Sequence, residues 1–102
     1  MRLVLVIAVA VCAAATAAHA RAAAADVITC HVWASYPNVL ISSARNMSCT
    51  AAAREMRRYR GSIARRFRTP GGFACYRVSG VPVGGQWRCV RGARAFRFEF
   101  GD

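Results

Sequence analysis

The chain is 102 residues long, with fifteen arginines, no lysine, four acidic residues and a formal net charge of +11 at pH 7. A length this short excludes a multidomain architecture and leaves a core that needs covalent staples. The charge excludes a preference for basic partners and favours polyanions: acidic polymer, membrane headgroups, nucleic acid or an acidic protein.

The first residues read as an export signal. Met1-Arg2 is followed by the apolar run Leu3–Val11 and an alanine-rich stretch ending Ala18-His19-Ala20. A positive start, an apolar middle and a small-x-small triplet make a signal peptide over 1–20, with cleavage between 20 and 25. The apolar part is too short to span a membrane. Cys12 does not fit a lipobox, because Val11 precedes it and it lies inside the apolar run. Residues 26–102 then form one small domain, expected to be a monomer secreted to the extracellular or periplasmic space.

Residues 27–33 are β-branched and aromatic and predict a strand, with Ile28, Cys30 and Val32 on one face and Thr29, His31 and Trp33 on the other. Ser35-Tyr36-Pro37-Asn38 is turn chemistry, and 39–41 predicts a short strand hairpinned to the first. Ser48 is the expected N-cap of a helix in which Cys49, Ala52, Ala53 and Met56 share an apolar stripe. The helix should end near Tyr59, with Gly61 as its stop. Ser62 could cap a second short helical turn, with Ile63 and Phe67 inward and Arg65, Arg66 and Arg68 outward.

Strands follow at 72–78, 86–91 and 94–100, with a loop at 80–85. A two-residue turn at Gly92-Ala93 predicts a register that sets Cys89 opposite Phe96 and Trp87 opposite Phe98. These four face the core, while Arg88, Arg97 and Glu99 face away. The expected fold is therefore α+β: one helix, with a second short turn, on a disulfide-stabilised antiparallel sheet of three to five strands.

Cys30, Cys49, Cys75 and Cys89 are an even set, the usual framework of two disulfides in an oxidising compartment. Four cysteines allow three pairings. A helix-to-sheet staple favours Cys49–Cys75 with Cys30–Cys89. No two cysteines stand as C-x2-C, so neither a zinc site nor a redox pair is expected. No motif asks for a cofactor.

Asn46-Met47-Ser48-Cys49, Gly72-Phe73-Ala74-Cys75 and Cys89-Val90-Arg91-Gly92 together resemble a recurrent type of small secreted bacterial protein, commonest in actinobacteria. The resemblance covers roughly residues 41–100. It implies a cysteine-stapled scaffold and brings no catalytic residues with it.

Two functions remain in play. Arg54, Arg57 and Arg58 on the helix, with Arg65, Arg66 and Arg68 beyond it, form the densest basic run and predict a non-enzymatic module for an acidic partner. An inhibitor of an extracellular enzyme is one form of that. The alternative is a small secreted hydrolase such as a ribonuclease, in which His31 works with Glu55 or Glu99 as a general acid–base pair. Against it stand a lone histidine in the domain and no catalytic motif. Arginines beside Tyr76, Trp87 and Phe96 echo single-strand nucleic-acid binders. The register, however, commits Trp87, Phe96 and Phe98 to the core, leaving Tyr76, Trp33 and Tyr36 as the outward aromatics.

Overall fold

The computed structural model describes residues 26–80 and 84–101. The export signal read at 1–20, its cleavage region, part of the 80–85 loop and Asp102 lie outside the described residues. The elements are β1 (Val27–Ser35), β2 (Val39–Arg45), α1 (Cys49–Arg58), β3 (Arg66–Arg68), β4 (Ala74–Ser79), β5 (Gly85–Arg91) and β6 (Arg94–Phe100). All six strands join one antiparallel sheet in the order β1-β2-β6-β5-β4-β3.

This corrects the expected α+β fold with a three-to-five-stranded sheet. The molecule is mostly sheet, with a single short helix. The second helical turn expected from Ser62 does not form. Phe67 instead pairs with Cys75, flanked by Arg66 opposite Tyr76 and Arg68 opposite Ala74. Over so few residues, an inward Phe67 between outward arginines satisfies a strand's period of two as well as a helical pattern. Long-range pairing with β4, extended by the Arg77 N–H donating to the Arg65 carbonyl at 2.9 Å, decides for the strand.

The start, the buried stripe and the end near Tyr59 match the sequence signals of the helix, but Gly61 is not its stop: the cap is Tyr59 itself, and Gly61 does not take a positive φ. Ser48 is extended and its hydroxyl accepts from the Ala51 N–H at 3.0 Å, relieving one unpaired donor of the first turn. Ala52, Ala53 and Met56 are buried against the sheet, and Arg57 and Arg58 fall in the last turn, where cations suit the helix dipole. The helix ends at Arg58 on an extended Tyr59. Just before the helix, Asn46 takes a φ of 56°, which asparagine tolerates. Its amide donates to the Ala93 carbonyl at 2.9 Å, tying the helix start to the β5–β6 turn.

That turn behaves as expected. Arg91 opposes Arg94 around Gly92-Ala93, Gly92 has a φ of 58°, and Cys89 and Trp87 lie opposite Phe96 and Phe98. The core gathers on one face of the sheet. The helix covers it over β1 and β2, and the 59–65 segment covers it over β5. There the Trp87 indole N–H donates to the Ala64 carbonyl at 2.8 Å, so the buried indole keeps its partner.

The disulfides are Cys30–Cys49 and Cys75–Cys89, not the expected Cys49–Cys75 with Cys30–Cys89. A helix-to-sheet staple does form, but α1 lies over β1 and β2, which brings Cys49 to Cys30. Cys75 and Cys89 face each other directly across β4 and β5 with their Cα atoms 4.0 Å apart.

Glu55, one of the expected acid–base candidates, serves the scaffold. It is buried; its carboxylate accepts from the Gly71 N–H and pairs with Arg58 at 3.3 Å. The turn it holds is closed further by Thr69, whose hydroxyl accepts from the Phe73 N–H at 3.1 Å. Glu55→Ala is expected to cost about 1–3 kcal/mol, because it strands the Gly71 donor. Glu55→Gln, which keeps an acceptor, should cost less, and urea midpoints of the two variants provide the comparison.

Candidate anion-binding face

With the helix and the 59–65 segment on one face, the other face of the sheet is open, and alternation decides which side chains it carries. One row crosses all six strands in register: Thr29, Ser43, Arg97, Arg88, Tyr76 and Arg66. A second row, one pleat away, runs Arg45, Ala95, Val90, Ala74 and Arg68. A third, on the other side of the first, runs Trp33, Leu40, Glu99, Gln86 and Ser79.

Small side chains among long ones hollow this face. Ser43 and Ala95 sit among Arg45, Arg88, Arg97 and Tyr76, around a depression of about 530 Å³. Arg88 donates through Nη1 to the Tyr76 hydroxyl at 3.1 Å, which orients its guanidinium along the row. Arg88 and Arg97 stand directly opposite one another across β5 and β6. Like charges so placed destabilise a sheet. Among the described residues the one ion pair is Arg58–Glu55, so no carboxylate neutralises this row.

That opposition has a measurable consequence. Arg97→Thr, which removes the charge and introduces a β-branched side chain suited to a strand, should raise stability at low salt by roughly 0.2–1 kcal/mol. The gain should fade near 0.5 M salt, where screening has weakened the repulsion. A gain that is independent of salt would assign it to strand propensity instead.

The six arginines expected to form one basic patch are divided between the two sides of the sheet. Arg54, Arg57 and Arg58 lie on the helix side. Arg57 donates to the Trp33 carbonyl at 3.3 Å on the edge strand β1, and Arg58 pairs with Glu55. Arg65 precedes β3. Arg66 and Arg68 alternate with the inward Phe67 and so belong to the open face. Arg68 also donates to the Gly72 carbonyl at 3.4 Å.

The structure instead brings Arg45, Arg88, Arg97 and Arg66 together around Tyr76. Alternation in the last hairpin already turned Arg88 and Arg97 outward. The pairing of β2 with β6, which adds Arg45 and Ser43, carries no local signal.

His31 is exposed and shares the open face with Glu99 on β6, two strands away. Its ring lies 6.4 Å from Trp33, edge to face. Glu55 is on the opposite side of the sheet. Every cysteine among the described residues is in a disulfide, and those residues contain no group of three or more His, Cys, Asp or Glu side chains suited to a metal ion. No helix among them is long and apolar enough to cross a membrane. Comparisons with protein-family models, with curated proteins and with solved structures each give no match.

Proposed function

We propose that this is a secreted, non-enzymatic binding module that takes a polyanion on its open sheet face. The observation that carries the proposal is the register-opposed pair Arg88 and Arg97, flanked by Arg45 and Arg66 and lacking a carboxylate partner among the described residues. A row of cations that repel one another is relieved when an anion lies between them, so binding gains what the empty face loses. Tyr76 holds Arg88 in place, which lowers the ordering cost of that contact. The export signal read in the sequence and the two disulfides both favour an oxidising, extracellular setting.

Retention on immobilised heparin tests the reading. It should fall steeply with salt, and the variant carrying Arg45→Gln, Arg88→Gln and Arg97→Gln should elute far earlier than the parent. The variant carrying Arg54→Gln, Arg57→Gln and Arg58→Gln removes the same charge and should lose much less. Equal losses would reduce the effect to net charge, and salt-independent retention would overturn the proposal.

A second reading rests on His31 and Glu99 sharing the face with Arg88 and Arg97. A histidine, a carboxylate and two arginines are the groups a phosphodiester-cleaving site uses. It requires RNA cleavage by the purified protein that His31→Ala abolishes.

A further inference from the structure

Next to the arginine row, the third row of the open face ends in a different chemistry. Trp33, Asn38, Leu40, Gln86, Glu99 and Phe100 surround a second depression of about 250 Å³. Its floor is tied by reciprocal bonds: the Asn38 amide donates to the Gly101 carbonyl at 2.8 Å, and the Gly101 N–H donates to the Asn38 carbonyl at 3.0 Å. Trp33 is 36% exposed, and Tyr36 meets its ring edge to face at 4.9 Å, which braces the indole. Glu99 is exposed and makes no ion pair with Arg97 two residues away.

The two depressions ask for different parts of a ligand. The arginines are donors only and want anionic oxygens; the Glu99 carboxylate is an acceptor only and wants N–H or O–H donors. Trp33 offers an aromatic platform to a flat group. From Trp33 on β1 to Arg97 on β6 is two strand spacings across and two residues along, roughly 12 Å. A ligand that fits must therefore keep its charge apart from uncharged, flat, donor-bearing units. An acidic glycan carries its charges on the rings themselves and would bring them to Glu99. A nucleic acid segregates its charge on the backbone and leaves the bases neutral.

We infer that the polyanion is single-stranded nucleic acid, with one base seated on Trp33 beside Gln86 and Glu99 and the adjoining phosphates on Arg97 and Arg88. This rests on the polyanion reading above and specifies its ligand. The strand runs across the sheet, past Tyr76 as a second aromatic platform, to Arg66. Six strands span roughly 24 Å, which matches a footprint near the low end of the range of about 4–16 nucleotides for sheet-based single-strand binders. Among bases, guanine presents two adjacent N–H donors to a carboxylate, so Glu99 favours guanine at the Trp33 seat.

The chain has two tryptophans, and Trp87 is 0% exposed, so a base stacking from solvent can quench Trp33 alone. Titration of the disulfide-bonded protein with hexathymidylate, and with the same oligomer carrying one internal guanine, should quench emission. The guanine oligomer should bind severalfold more tightly. Trp33→Ala should weaken binding about tenfold and remove the quench, Trp33→Phe should retain most of the affinity, and Glu99→Ala should erase the guanine preference.

A Trp33→Ala variant that binds both oligomers like the parent overturns the inference. If the Arg88 and Arg97 variants still lose heparin binding, the polyanion reading survives that result. Heparin fragments that bind more tightly than the oligomers and depend on Trp33 also overturn it, in favour of an acidic glycan. Oligomer binding that is indifferent to Arg88→Gln and Arg97→Gln overturns the polyanion reading itself.

Discussion

Phe98→Ala should lower the free energy of unfolding by about 3–5 kcal/mol. Phe98 is fully buried on β6, opposite Ile41 on one side and Trp87 on the other. Its ring stacks on Trp87 with centroids 5.6 Å apart and planes 10° from parallel, and it also meets Phe67 at 6.3 Å and Phe96 at 6.4 Å. Alanine removes the ring that three others lean on, and a central strand cannot move to fill the space. The cost therefore includes a cavity as well as the lost transfer energy. Urea unfolding of the oxidised protein measures it. A loss below 1 kcal/mol for Phe98→Ala would mean that the aromatic cluster is not the core.

The second large effect concerns the staples. Cys30–Cys49 closes a separation of 19 residues and Cys75–Cys89 one of 14, so each should contribute about 3 kcal/mol by limiting the unfolded chain. A domain this small holds only a few kcal/mol in reserve, so losing both should unfold it at 37 °C. The two differ in access. Cys75 and Cys89 lie sealed in the core, whereas Cys49 is only half buried at the helix start. Mild reductant followed by alkylation and mass analysis should therefore find Cys30 and Cys49 modified first. The partly reduced protein should keep its arginine row, which is carried on β2, β6, β5, β4 and β3, and should still bind heparin. Modification of Cys75 and Cys89 first would contradict this order.

What could be read in advance was what short-range chemistry controls. Ser48 as the cap, the Ala52–Ala53–Met56 stripe and the Gly92-Ala93 hairpin are all decided within about ten residues, and each forms as the residues imply. Where the outcome depends on which strands meet, local pattern gives out. Phe67 between two arginines suits a helical turn or a strand equally, and its partner Cys75 decides. The cysteine pairing follows from the helix lying over β1 and β2, which no spacing reveals. The candidate site divides in the same way. Arg88 and Arg97 were legible as outward residues of a hairpin. Their union with Ser43, Arg45 and Arg66 needed the sheet order, and the basic run that looked densest in the sequence is split across two faces.

The strand order has one more consequence. β6 is the last of the six strands in chain order, yet it lies between β2 and β5, so the β1–β2 hairpin and the β3–β4–β5 unit share no ladder until residues 94–100 pair. The β2–β6 pairing that joins the two units is therefore a long-range contact, the kind that slows folding. Each disulfide closes inside one of those units, Cys30–Cys49 between β1 and the helix and Cys75–Cys89 between β4 and β5, so β6 is the seam between two separately stapled halves.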